Sequence, residues 1–159
     1  MKKLFYLFLL ALPLVGFTSC NDDDDLPDVD FIVDISGATF ADNTIYCVQG
    51  ETFTIESVDV VNNDKGKNAL ITYVEYFWDY QRIGVSAVDP FTFEINVDPE
   101  TPLGEHRLEL YAPVYAEDKT PAFSVQAYNV VVVESQDDIP AGVTSFTSDP
   151  VLRTTDPAK

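Results

Sequence analysis

The stretch FTFEINV (Phe91–Val97) sets apolar side chains against polar ones, one for one. Phe91, Phe93, Ile95 and Val97 alternate with Thr92, Glu94 and Asn96. Successive side chains of a β-strand point to opposite faces, so this period of two specifies a half-buried strand. The same period recurs in both directions along the chain. TFTIESV (Thr52–Val58) alternates Phe53, Ile55 and Ser57, and HRLELYA (His106–Ala112) places Leu108 and Leu110 on one side. ITYVEYFWDY (Ile71–Tyr80) puts Val74, Tyr76 and Trp78 on one face and Glu75, Phe77 and Asp79 on the other. FSVQAYNVVVV (Phe123–Val133) is long and rich in β-branched residues, which suits the last strand of a sheet.

Turn-forming clusters separate these runs: Gln49-Gly50-Glu51, Asn62 to Gly66, Asp89-Pro90 and Asp98 to Pro102. No segment sustains a helical period. About seven short strands with frequent turns predict an all-β chain, a single antiparallel sandwich over residues 29–134. Residues 135–159 are polar and proline-bearing, and read as a loose tail with room for one edge strand around GVTSFT (Gly142–Thr147).

The N-terminus is of another kind. Met1-Lys2-Lys3 precedes an apolar run, Leu4–Phe17, which is shorter than the roughly 20 residues a membrane-spanning helix needs. A cationic head, a short apolar stretch and small residues at Thr18 and Ser19 make residues 1–19 a secretory signal peptide. Cys20 follows directly, and residues 20–28 form an acidic linker through Asn21, Asp22, Asp23, Asp24 and Asp25. The whole chain carries −18. The leader holds two lysines and no acid, so its loss takes the remaining 140 of 159 residues to −20. Such a surface repels nucleic acid. The charge does not imply disorder, because 46% hydrophobic and 13% aromatic content exceeds what disordered chains carry.

Phe17-Thr18-Ser19-Cys20 resembles the lipobox of bacterial lipoproteins, with Phe17 where leucine is usual. The resemblance implies that the Cys20 thiol is acylated and anchors the chain in a membrane through its lipid. Each buried CH₂ of such an anchor contributes about 0.8 kcal/mol. Asn21–Asp25 resembles the acidic run that sends lipoproteins of the Bacteroidota to the outer face of the outer membrane. The other reading is a solvated spacer of mutually repelling charges. Further on, VQGETFTI (Val48–Ile55), VEYFWDYQRIG (Val74–Gly84), PFTFEI (Pro90–Ile95) and PLGEHRLELYA (Pro102–Ala112) resemble successive strands of bacterial immunoglobulin-like domains. That resemblance covers about two-thirds of the chain after the leader. It implies an immunoglobulin-like sandwich and a binding or spacer role. Tyr80 departs from the pattern, standing where glycine is common after Asp79, which implies a longer or differently shaped hairpin.

Candidate sites follow from strand parity. Trp78 shares the core-facing side of Val74 and Tyr76. Tyr73 and Phe77 fall on the opposite side, and with Tyr111 and Tyr115 they are the ligand-binding candidates, since exposed rings stack on sugars. Cys47 sits in an apolar stretch and reads as a small buried hydrophobe. His106 reads as a structural residue at a sheet corner. No phosphate-binding glycine loop, nucleophile elbow or metal-ligand spacing occurs, so no cofactor, metal or catalytic residue is expected. The function expected is a non-catalytic binding or adhesion module at the cell surface, for an extracellular glycan or protein. The alternative is an assembly subunit working through an exposed strand edge such as FSVQAYNVVVV.

Cys20→Ala is expected to abolish incorporation of labelled fatty acid and to release the protein from the membrane fraction. Cys47→Ala is expected to keep both, as read by metabolic labelling and fractionation.

Overall fold

The computed structural model describes residues 25–147. Cys20, Asn21, Asp22, Asp23 and Asp24 lie outside the described residues, as do the leader and residues 148–159. Ten strands make up most of the described chain: β1 (Val29–Ala41), β2 (Thr44–Val48), β3 (Thr52–Asn62), β4 (Ala69–Ile71), β5 (Val74–Trp78), β6 (Gln81–Ser86), β7 (Phe93–Asn96), β8 (Gly104–Ala116), β9 (Ala122–Val133) and β10 (Val143–Thr147). A 3-10 turn, Gln136–Asp138, follows β9.

Hydrogen bonding runs in the order β6-β5-β8-β9-β2-β1-β3-β7, with β10 beside β1 and β4 beside β8. This path folds into two layers. One is β7-β3-β1-β10, the other β6-β5-β8-β9-β2 with β4. Ile35, Phe53 and Ile55 from the first layer meet Tyr76, Leu108, Leu110 and Val130 from the second in one core. All seven are fully buried, each contributing roughly 1.5–3 kcal/mol by leaving water. The fold is therefore an immunoglobulin-like β-sandwich.

The layers are joined through β1. Its residues Val29–Ser36 pair with β3, while Thr39–Ala41 pair with β2. The chain changes layer at Gly37, where φ is +79° and an added Cβ would stand 3.2 Å from Thr52 O and 3.3 Å from the Phe53 Cα. Glycine is needed there both for the left-handed backbone and for the close approach.

Two features differ from the sequence expectation. Strands number ten because β1 and β2 split the N-terminal segment, β4 is a three-residue addition, and Val143–Thr147 forms β10, the one edge strand for which the sequence left room. β1 carries its own alternation, Phe31, Val33 and Ile35, all buried, which the sequence reading does not use. Phe146 of β10 stacks on Phe40 at 4.3 Å. Secondly, not every pairing is antiparallel. β2 runs parallel to β9, Thr44–Val48 opposite Asn129–Val133. β9 is consequently an interior strand over that half, whereas among the described residues no strand pairs with the other side of Ala122–Ala127.

Gly37→Ala is expected to lower unfolding free energy by about 2 kcal/mol, from the backbone penalty plus the tight contact. Gly66→Ala, at the same φ with nothing within 4 Å, isolates the backbone part at about 1 kcal/mol. Urea unfolding of the two variants checks the difference.

Candidate functional site

The outward face of β5, β8 and β9 gathers the sequence candidates. β5 pairs with β8 so that Glu75 lies opposite Tyr111 and Phe77 opposite Glu109. β9 adds Val125 opposite Tyr111 and Phe123 opposite Pro113. Directly opposed residues share a face, so Phe77, Tyr111, Phe123 and Val125 form one surface. Phe77 and Tyr111 touch, with ring centroids 4.8 Å apart and planes tilted by 54°. Tyr115 lies four residues beyond Tyr111, about 13 Å along the strand. It sits opposite Leu70 of β4. Tyr73, half-buried, precedes β5 in line with Glu75 and Phe77. Leu70, Tyr115, Phe123 and Val125 are all exposed.

A charged network that the sequence reading misses borders the Phe77–Tyr111 pair. Glu109 lies on the outward side yet is only 4% exposed, because its neighbours close over it. Arg107 Nε donates to Glu109 Oε1 at 2.6 Å, and the Tyr111 hydroxyl lies 3.5 Å from Oε2. The hydrogen bond to Glu109 raises the Arg107 guanidinium above its ordinary value. The same guanidinium sits 5.9 Å from the ring centroid of Tyr80. Tyr80, Arg107, Glu109, Tyr111 and Phe77 thus form a strip in which ring faces and charged hydrogen-bonding groups stand side by side. The pairing of β5 with β8 is what covers Glu109.

The strip is held at one end by the β5–β6 hairpin. Its turn consists of Asp79 and Tyr80, at φ +46° and +65°. The hairpin is therefore the short two-residue kind, although Tyr80 replaces the usual glycine. Asp79 compensates. Its N–H donates to Arg107 O at 2.9 Å, its Oδ1 accepts from the Arg107 N–H at 2.9 Å, and its Oδ2 lies 2.7 Å from His106 Nδ1. His106 Nε2 in turn lies 2.7 Å from Pro102 O. His106 is a corner residue with both ring nitrogens engaged, packed 5.3 Å from Trp78.

The other candidates are placed elsewhere. Cys47 is buried and free, and burial pushes its thiol up to about 12, so at neutral pH it is protonated and a poor nucleophile. The buried Tyr76 phenol is likewise raised by desolvation, and it donates to Phe91 O. Asp25 is the described member of the acidic run. Its carbonyl accepts from Thr120 N–H and its Oδ2 from Thr120 Oγ1, both at 2.8 Å. This ties the start of the described chain to the β8–β9 hairpin. Among the described residues, no group of three or more His, Cys, Asp or Glu side chains is arranged to hold a metal ion.

No protein-family model matches the chain, and no curated protein matches it. Among solved structures, the fibronectin(III)-like modules of Clostridium thermocellum CbhA align at 16% identity over 67% of this chain, with a TM-score of 0.41. The alignment spans 47% of that chain. A likeness so distant carries neither activity nor partner, and the class of the fold rests on the strand pairing itself.

Asp79→Ala is expected to cost about 2 kcal/mol, since it removes two acceptor contacts and puts alanine at a left-handed position. Asp79→Asn, which keeps an acceptor and tolerates that backbone, is expected to lose less than half as much. Denaturant midpoints of the two variants decide it.

Proposed function

We propose that the chain is an outer-membrane lipoprotein, anchored through Cys20 and displayed at the cell surface. Its sandwich is a non-catalytic binding module whose outward β5–β8–β9 face takes an extracellular polysaccharide. The observation that carries the reading is the Phe77–Tyr111 pair flanked by Arg107 and Glu109. Sugars present apolar C–H faces and a periphery of hydroxyls. A pair of rings bordered by the exposed Arg107 guanidinium, which Glu109 holds in place, answers both at once, and charge-assisted hydrogen bonds are the stronger kind. A protein ligand would also use the exposed Phe123, Val125 and Tyr115. The charged strip beside the rings favours the glycan. With a net charge of −18, or −20 once the two lysines of the leader are gone, the partner is a neutral polysaccharide rather than an anionic one. The leader, Cys20 and the aspartates support the address.

Two measurements test the reading. In affinity gels, the protein is expected to be retarded by neutral polysaccharides such as xylan, glucomannan or starch, and not by chondroitin sulfate. Phe77→Ala with Tyr111→Ala is expected to weaken retardation at least about tenfold, or 1.4 kcal/mol, with circular dichroism unchanged. On intact cells, external protease is expected to digest the native lipoprotein and to spare a form with alanine at Asp22, Asp23 and Asp24. Asp25 is left in place because it also bonds Thr120. Protection of both forms would put the protein in the periplasm and sink the surface reading.

A further inference from the structure

The strand order ends at β6 on one side and β7 on the other, and between these two edges the sandwich is open. A cleft of about 330 Å³ lies there, with Trp78, Ile83 and Phe93 on its apolar side and Glu94, Asn96 and Asp98 among its polar groups. Its shape follows from two local features. Phe93 stacks on Tyr76 at 4.4 Å with planes 6° apart, and it lies so close to Gly84 that a Cβ there would stand 2.3 Å from the ring. The absence of a side chain at Gly84 admits the ring. Next to it the β5–β6 register shifts: Tyr76 faces Gly84 while Phe77 faces Arg82. Ile83 is the extra residue, and such bulges re-aim a side chain. It lines the cleft and stays 41% exposed.

The backbone of β7 is equally specific. Val97 directs both main-chain groups at the β3 side: its N–H donates to Glu51 O at 2.9 Å, and its carbonyl accepts from Gly50 N–H at 2.8 Å. Alternate residues of an antiparallel ladder face opposite ways. Glu94 and Asn96 therefore aim their N–H and C=O groups away from β3, along the free edge. Among the described residues no strand pairs with that edge. The cleft lies near the Leu108 end of β8, which pairs with Trp78, whereas the Asp25–Thr120 contact lies beyond the other end of that strand.

We propose that the cleft receives an extended segment of a basic partner protein, added as a strand to β7. One apolar side chain seats against Trp78, Ile83 and Phe93, and flanking lysines or arginines meet Glu94 and Asp98. The free edge supplies main-chain hydrogen bonds in the two-residue repeat that a peptide matches and a sugar does not. The apolar recess sets the central residue, and the carboxylates set the charge. This site is separate from the outward face and does not rest on its reading.

Trp78 is the single tryptophan of the chain and lines the cleft, so its emission reports on the site directly. The full-length lipoprotein in detergent is titrated with the capped heptapeptide KVKLKVK and with its acidic counterpart EVELEVE. The basic peptide is expected to shift Trp78 emission saturably, and the acidic one to leave it unchanged. Ile83→Lys places a repelling cation in the cleft, and Asn96→Pro removes an N–H that β3 does not use. Each is expected to weaken binding at least about tenfold, while the Phe77→Ala, Tyr111→Ala form binds like the native chain. Unshifted emission, equal binding of both peptides, native affinity in both cleft variants, or loss of binding in the Phe77, Tyr111 form would each overturn the proposal.

Discussion

Gly37 is where β1 passes from one layer of the sandwich to the other, and most of the architecture hangs on that passage. Without a residue able to take a left-handed backbone against Thr52 and Phe53, β1 would continue along β3. Residues 39–41 would not reach β2. Because the crossing occurs, β2 is delivered to the side of β9 and pairs with Asn129–Val133. The β9 side of the second layer is thereby closed over half its length by β2. Unpaired edges invite association, and among the described residues the first half of β9 and the β6 and β7 margins are among those left open.

The outward face illustrates how a strand's parity becomes a chemical surface. Odd-numbered residues of β5 and β8 all point away from the core, which lines up Glu75, Phe77, Arg107, Glu109 and Tyr111. Burying a carboxylate is costly unless it is paired, and Glu109 is paired with Arg107. The Arg107 guanidinium is held in turn between Glu109 and the Tyr80 ring. The far end of the strip is set by Asp79, whose carboxylate joins the hairpin turn to the start of β8 and to His106.

Much of this is legible in particular residues. Phe91, Ile95 and Val97 are buried and Thr92, Glu94 and Asn96 exposed, as their alternation requires. Tyr73, Phe77, Tyr111 and Tyr115 lie on the outward side because parity puts them there, with Phe77 and Tyr111 brought into contact by the pairing of two strands. Other features depend on partners far away in sequence. HRLELYA gives no sign that Glu109 is buried, because its cover, Phe77, comes from another strand. Tyr80 argues locally against a tight turn. It is tolerated because Asp79 finds His106 and Arg107 about 27 residues on.

What the sequence by itself determined is whatever depends on neighbours one or two residues apart: an all-β chain, the inward face of each strand, the turn positions and the separate character of the N-terminal segment. Periodicity is a local property, so local sequence carries it. Only the tertiary structure decided which strands pair. That choice made β9 an interior strand over half its length, buried Glu109 and left a recess beside Trp78. Those outcomes depend on register and layer crossing, which arise when segments 30 to 100 residues apart compete for the same edge, and no alternation within a single strand encodes the winner.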